Sequence, residues 1–525
     1  MSHLAIELSK IGRCYSLLLR NRAISKYKLK NRTTINSHLE NRLVVNFYSS
    51  KPPDDEDNPI KRAFRVLKGD LKYTLDLVDG NLREEDLGRR NLIPNHCDVL
   101  IVGGGVIGSS IAYWLKKRAL NGLSVIVLEK DPSVINFNAS DNEYAHCSTV
   151  LSCGGVRQQF SLPENIEMSM FGADFLRNIK EYLGIEGQDA PDVQFTPQGY
   201  LFLATQKGAH ILEENSKIQK SLGAKVELLS QKVLQKRFPW MNTEDVALGC
   251  HGLENEGWFD PWSLLMAFKK KALFLGADYL NAELESFDFK QEPFVFVDTA
   301  PVGEYVGLNK ATVKLPSGEK KQIEFSQLII ASGYHSGQVG KLARMGEGSG
   351  YLELPIPVEP RKRYVYCFHC PDGPGLQAPF LIDPSGMYFR REGLGNNYIC
   401  GRSPDAGKEP SCDNLDVDYN FFEEEVWPYL AQRVPAFENI KVKSAWAGFY
   451  DFNTFDENAF VGPHPSYNNV FIATGFSGHG LQQAPAIGRA MMELIVDGRF
   501  TTIDLTRMQF ERIFHEEYLL ETNIV

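Results

Sequence analysis

The chain has 525 residues, 43% of them hydrophobic and 23% charged. That composition excludes a disordered, collagen-like or coiled-coil protein, and the length allows more than one domain. The net charge of −10 argues against a dedicated nucleic-acid binder, but it averages two unequal parts: residues 1–50 carry a net +7 and the rest −17.

The first fifty residues are rich in Arg, Lys, Ser and Asn and poor in acids, the profile of an organelle transit peptide. The Leu17, Leu18, Leu19 run is too short for a secretory core. A mitochondrial transit peptide is therefore expected, with cleavage near Phe47 to Ser50. The alternative is a basic tail that stays on the protein. A polar arm follows at 51–95, with Pro52 and Pro53 leading into Asp54, Asp55, Glu56 and Asp57. No apolar run reaches the roughly 18 residues that a transmembrane helix needs.

From Asp98 the pattern changes. Val99 to Val102 is a continuous apolar run, as in a strand covered on both faces. Gly103, Gly105 and Gly108 follow in a GxGxxG turn. Ile107, Ile111 and Leu115 then recur every four residues, which predicts a helix. Val125 to Leu128 reads as a second buried strand, ending at Glu129. The glycines have separate jobs in such a unit. Gly103 allows the tight turn, Gly105 lets a pyrophosphate approach the backbone, and Gly108 lets helix and strand pack closely. The helix start, at Val106 and Ile107, offers N–H groups and a positive dipole to phosphates. Glu129, 21 residues past Gly108, accepts hydrogen bonds from ribose hydroxyls. Strand, glycines, helix and acid together predict dinucleotide binding.

The middle of the chain is predicted to hold a strand at Gly199 to Ala204, a helix at His210 to Leu222, a strand at Val226 to Leu229 and a helix at Pro261 to Leu275. Residues 290–330 read as an antiparallel meander. Nine cysteines are scattered without a disulfide pattern. Cys367 and Cys370 alone have a metal-like spacing, but they lie in a strand-like run and face opposite sides, so ordinary strand cysteines are expected. Val470 to Ala473 reads as a buried strand and Ala484 to Val496 as a closing helix.

Two late segments favour FAD over NAD. Leu328 to Gly333 is a strand ending in Ser332 and Gly333, small enough for close passage of a nucleotide. Phe471 to Gly480 is a strand followed by a loop with Gly475, Gly478, His479 and Gly480, with Leu481 next and then a helix. Such a loop can aim amide N–H groups at the flavin, where reduction places negative charge. An NAD-dependent dehydrogenase fits the first motif but leaves this loop unexplained.

Together these segments resemble the D-amino-acid oxidase superfamily of FAD-dependent amine oxidoreductases, in its sarcosine and dimethylglycine branch. Further blocks, Ser148 to Ser161, Tyr388 to Gly395, Ser444 to Gly448 and Asn453 to Asp456, resemble a mitochondrial member linked to assembly of respiratory complex I. The resemblance covers about 95–520. It implies an α/β fold: a Rossmann-like FAD-binding domain interleaved with an α+β substrate domain built on an antiparallel sheet. The expected division is a leader (1–50), the polar arm (51–95), FAD-binding segments at 96–185, 251–354 and 451–525, and substrate-domain segments at 186–250 and 355–450. It also implies location at the matrix side of the inner membrane, complex I subunits or assembly factors as partners, and a small amine substrate. The acidity of the chain after its leader directs any membrane association through protein partners or a local basic patch.

The resemblance implies particular residue roles. Lys130, Ser148 and Thr149 join the glycines and Glu129 as FAD contacts. The flavin-linking His of the branch aligns with Leu151, and the linking Cys with Ala447 and Gly448, so non-covalent FAD is expected. Cys147 and Cys153 are read as small loop residues beside the cofactor. A Lys that anchors the substrate carboxylate aligns with Gln482, which carries no charge. Arg157 takes the place of a basic residue near the flavin. It serves a substrate anion, activates oxygen or forms a structural salt bridge. Arg390 and Arg391 are further candidates, and His479 is expected to cap the flavin loop.

Overall fold

The structure is a computed structural model that describes residues 94–131, 146–295, 297 and 301–522. All of them lie in one compact unit, Ile93–Val525. The basic leader and the polar arm up to residue 93 lie outside the described residues.

Two large sheets organise this unit. The first runs in the order Phe460–Pro463, Val470–Thr474, Lys320–Ile330, His96–Val102, Val125–Glu129, Asp278–Asn281. Its central pairs are parallel, with Ile101 opposite both Ile329 and Val127. Alternate residues feed opposite cores. Val99, Ile101, Val125 and Val127 join the helices on one face, whereas Leu100, Val102, Ile126 and Leu128 pack on the other. That two-sided burial is why these strands are apolar without interruption.

The helices Val106–Ala119, Pro261–Phe274 and Gly480–Asp497 cover the first face. Ser110 Oγ donates to the Ala484 carbonyl at 2.7 Å and Trp114 Nε1 to that of Pro485 at 2.9 Å. A Cβ at Gly488 would come within 2.2 Å of Ser110 Oγ. The opening and closing helices are therefore in near backbone contact. Asp260 caps the helix at Pro261 by accepting from the N–H groups of Trp262 and Ser263. The helix Pro163–Arg177, on the same face, was not foreseen from the sequence.

The meander forms from Glu283–Gln291, Val306–Lys314 and Lys320–Ile330. Its last strand then continues into the parallel sheet between His96–Val102 and Val470–Thr474. One strand thus serves both systems, which periodicity alone does not reveal.

The second sheet runs Lys441–Asn453, Val358–His369, Asn397–Arg402, Met387–Glu392, Phe380–Ile382, Tyr200–Ala204, Leu248–Gly252, Val226–Ser230. It departs from a purely antiparallel sheet at one seam. Phe380–Ile382 and Tyr200–Ala204 pair in parallel, where two distant chain segments meet edge to edge. Leu248–Gly252 runs past residue 250 and Lys441–Asn453 past residue 450, so each of these strands overruns the expected limit of its segment. Cys367 lies on the strand Val358–His369, and Cys370 is buried just beyond it, with Sγ 3.3 Å from the Ala436 carbonyl. Among the described residues, no cluster of three metal-ligating side chains exists, and no helix is long and apolar enough to cross a membrane.

Candidate functional site

A cavity of about 510 Å³ is lined by residues of both sheets. The strand–turn–helix at its wall shows what each glycine does. Gly103 has φ +111°, and a Cβ there would sit 2.3 Å from the Ala331 carbonyl. Its bare backbone lets the adjacent strand end pass. A Cβ at Gly105 would meet only Thr149 Oγ1, at 3.4 Å. The cavity side of that residue is open, as a cradle for a phosphate requires. Gly108 does not line the cavity. A Cβ there would lie 1.9 Å from the Gly103 carbonyl, so its role is packing of the turn.

The helix Val106–Ala119 makes its first internal bond from Ser109 N–H to the Gly105 carbonyl. Helix geometry leaves the earlier N–H groups without helical acceptors. That of Val106 goes to Thr149 Oγ1 at 3.2 Å. Val106, Ile107, Ser148 and Thr149 all face the cavity.

Glu129 is held by two main-chain donors, Gly104 N–H to Oε2 and Asp131 N–H to Oε1, each at 2.8 Å. Burial raises its carboxyl above the usual range against the pull of those bonds. Each oxygen keeps a further acceptor direction for a ribose hydroxyl. Lys130, Ser332 and Gly333 also line the cavity.

The C-terminal glycine loop differs from expectation. Gly475 does not line the cavity. Its N–H and that of Phe476 donate to Asp451 Oδ2 at 2.8 and 3.0 Å, and Ser477 N–H donates to the Asp451 carbonyl at 3.0 Å. Asp451 thus folds the loop, and burial pushes its carboxyl up to about 6. Gly478, His479, Gly480 and Leu481 do line the cavity, at the start of the helix Gly480–Asp497. The helix dipole and its unpaired first amides remain directed there. His479 precedes that helix, but its side chain makes no cap bond. Its Nε2 lies 3.1 Å from Arg157 Nη2. Burial and the Arg157 charge bring its imidazole down to about 3, so it is neutral at physiological pH.

Arg157, His479 and Gln482 come together on the wall. The main-chain N–H of Arg157 donates to Gln482 Oε1 at 2.7 Å. Its guanidinium lies over the rings of Phe160 and Phe202, 4.5 and 4.9 Å from their centroids. Glu256 stands nearby, bound to Gln158 N–H at 3.2 Å. Burial lifts its carboxyl well above the usual range, which weakens it as a counter-charge for Arg157.

Leu151 and Gly448 also line the cavity. They are neighbours, since a Cβ on Gly448 would lie 3.1 Å from Leu151 Cβ. Cys147 and Cys153 are on the same wall. Burial pushes the Cys147 thiol up to about 11 and raises that of Cys153, which favours the unreactive thiol form.

Arg390 and Arg391 do not reach the cavity. Arg390 Nε donates to the Cys153 carbonyl at 2.8 Å and its Nη1 to Glu392 at 2.5 Å, while Arg391 bonds the Gly393 carbonyl. They hold a loop and a turn. Residues that sequence reasoning missed include Arg363, Arg402, Tyr200, Phe380, Tyr388 and Asp451, all on the cavity wall. A lone acid amid Phe449, Tyr450 and Phe452 was the one available signal, for Asp451.

The family model for DAO, FAD dependent oxidoreductase, matches residues 98–494. The chain is 53% identical over 440 residues to FAD-dependent oxidoreductase domain-containing protein 1 of Xenopus laevis, spanning 83% of this chain and 86% of that protein. Identity to the Bos taurus protein of the same name is 51% over 435 residues, spanning 81% and 87%. Among solved structures, L-proline dehydrogenase from P. horikoshii superposes with a TM-score of 0.64 at 25% identity, covering 81% of this chain and all of that one.

Proposed function

Because the chain belongs to the DAO family of FAD-dependent oxidoreductases, we propose that it holds FAD without a covalent bond and oxidises a small amine. The observation that carries this is the shape of one cavity: a Gly105 cradle and Glu129 in one part, Arg157 and the start of the closing helix in another. Gly103, Gly105, Val106, Ile107, Glu129, Lys130, Ser148 and Thr149 are suited to the adenosine diphosphate. Ser332, Gly333, Gly478, His479, Gly480 and Leu481 are suited to the remainder of the cofactor. Bound there, FAD supplies a hydride acceptor for oxidation of the carbon beside the amine nitrogen. The chain supplies orientation, exclusion of water and the fixed Arg157 charge. Leu151 and Gly448 stand where the branch has linking nucleophiles, and neither can bond to flavin.

The same proposal places the chain in the mitochondrial matrix or at the matrix side of the inner membrane, supporting assembly of respiratory complex I through protein contacts. The basic, acid-poor first fifty residues support the address. The blocks at Ser148 to Ser161 and Tyr388 to Gly395 support the partner by resemblance. A sarcosine-like oxidoreductase with no assembly role is disfavoured by Gln482, which offers no charge for the substrate carboxylate.

The test is the absorbance spectrum of the purified protein before and after acid precipitation, followed by anaerobic addition of amines. Yellow colour released to the supernatant and bleached by an amine is the expected result. Colour retained in the pellet would overturn non-covalent binding. An absence of colour would overturn the flavin reading. For the assembly role, cells lacking the chain should show reduced assembled complex I on native gels, and unchanged levels would remove that role.

A further inference from the structure

Six cations stand in two matching runs, Lys116, Lys117, Arg118 and Lys269, Lys270, Lys271, in a chain that is acidic after its leader. Each run closes a helix, Val106–Ala119 and Pro261–Phe274. These helices feed Val125–Glu129 and Asp278–Asn281, which pair in parallel, so both end at the same edge of the first sheet. The helix Gly480–Asp497 leads back from the parallel strand Val470–Thr474 and ends there too. Val106 and Ile107 line the cavity, and the 14 residues of their helix carry the chain about 20 Å away from it. This end of the molecule is therefore remote from the nucleotide cradle.

Two of the six cations serve the fold. Lys116 is buried and donates to the Leu123 carbonyl at 2.9 Å, and Lys269 is buried beside Tyr279. Lys117, Arg118 and Lys270 are exposed and Lys271 is half-buried. Of these four, Arg118 alone forms an ion pair among the described residues, with Asp497 at 3.1 Å. Burial lowers the Lys117 ammonium below its usual value, and the charges of Arg489 and Lys271 push the same way. Like charges are thus held close together. A helix C-terminus draws cations through its dipole, but the dipole does not account for the apolar side chains set among them. Leu120, Phe274 and Val496, one at the end of each helix, are 58%, 59% and 39% exposed. Leu120 has φ +49° and ψ −117°, a backbone state that glycine adopts freely and leucine only under strain. Neither burial nor local conformation calls for a leucine there.

We propose that this end of the molecule docks on an anionic lipid bilayer, with Leu120, Phe274 and Val496 entering the headgroup boundary and Lys117, Arg118, Lys270 and Lys271 facing the lipid phosphates. The inference deepens the matrix-side location read above by naming a surface, and it does not depend on the flavin reading. Cations draw such a surface to the bilayer, and burial of the apolar side chains holds it there. The acidity of the rest of the chain is repelled by the same lipids, which fixes the orientation. The nucleotide cradle then faces away from the bilayer.

Flotation of the full-length protein with vesicles tests this. Vesicles of equimolar phosphatidylcholine and phosphatidylglycerol should carry the protein, and vesicles of phosphatidylcholine alone should not. The basic first fifty residues are the same in every variant, so differences between variants report the helix ends. Lys270→Glu and Phe274→Ser should each weaken partition about tenfold. Leu120→Gly should weaken it without lowering Tm, which separates docking from folding. The fluorescence of Phe274→Trp should be quenched by brominated acyl chains beyond that of the wild type. Unchanged partition of Lys270→Glu and Phe274→Ser overturns the inference, as does an added Trp that is not quenched, or equal partition onto the neutral vesicles. Binding to neither vesicle also overturns it and leaves this face to an acidic protein. Cell fractionation reads the location separately. Matrix-side protein that fails the vesicle test removes this inference alone, and vesicle docking by a protein found outside mitochondria removes the location alone.

Discussion

The main-chain N–H of Arg157 donates to the side-chain oxygen of Gln482 at 2.7 Å, although 325 positions separate the two residues. The resemblance aligns Gln482 with a substrate-anchoring Lys, whereas in this fold its side chain is a strut. Gln482→Leu should leave a buried N–H without an acceptor and cost about 1–3 kcal/mol. Gln482→Glu retains the acceptor and should cost less. Urea unfolding of the two variants measures the difference. Equal losses would show that the bond contributes nothing.

Gly105 and Gly108 belong to one motif but should fail differently. Gly108→Ala places a Cβ 1.9 Å from a carbonyl oxygen and should impair folding of the turn itself. Gly105→Glu has open space toward the cavity, so the protein should fold with normal far-UV circular dichroism and bind no FAD. Stoichiometric FAD in Gly105→Glu would mean that the phosphates lie elsewhere.

Asp451 sets a pH dependence in the flavin-free protein. Its carboxyl is raised from an ordinary value near 3.8 to about 6. Between those values the folded state binds the extra proton, so stability is full below about pH 4 and falls as pH rises through 6. Asp451→Asn keeps an oxygen for the Gly475 and Phe476 amides and has no proton to lose. The difference in Tm between wild type and variant should therefore change over pH 4–6 and be constant above about 7. A difference that stays constant across pH 4–6 would rule out Asp451 as the source.

His479 is brought down to about 3 by burial and by Arg157. A depressed imidazole contributes stability that is present above about pH 6.5 and lost as pH falls through 3. Its ring resonances in nitrogen-detected NMR should not titrate between pH 5 and 8, and flavin-bleaching rates in His479→Gln should keep the wild-type pH profile. A midpoint near 6.5 for this ring would overturn the assignment.

Arg512 and Asp456 form a buried pair, Nε to Oδ2 at 2.7 Å and Nη2 to Oδ1 at 2.9 Å. Asp456 also accepts from the N–H of Leu519, and Glu521 accepts from Ser161 and Asn165. The last residues of the chain thus brace the segment that follows Arg157. Arg512→Met leaves a buried carboxylate unpaired and should cost about 3–5 kcal/mol. Arg512→Met with Asp456→Asn should recover part of that loss. Denaturant midpoints for the single and double variants measure it, and an additive result would show that the pair is uncoupled.

Local chemistry made one half of this protein legible. The strand at Val99, the three glycines, the following helix and Glu129 are neighbours in sequence, and each constraint is met within about thirty residues. Sheet strands buried on both faces announce themselves by continuous apolar runs, so Val125 to Leu128 and Val470 to Ala473 could be read without a fold. The glycine loop with Gly478 to Leu481 was legible because it directly follows a buried strand, although the closing helix begins at Gly480, ahead of the expected Ala484.

The other half depends on distance. Whether a glycine opens toward a ligand or packs against its own turn is decided by what stands opposite, which separated Gly105 from Gly108 and removed Gly475 from the cavity wall. Arg390 and Arg391 looked available in the sequence, but the fold turns them into loop braces and brings Arg363 and Arg402 to the cavity already paired. Gln482 became a strut because the strand after Cys153 passes beside the closing helix. The sequence by itself determined a nucleotide cradle and its family. The tertiary structure alone decided which charges remain for a substrate, because a charge buried among distant chain segments takes its value from its neighbours in space.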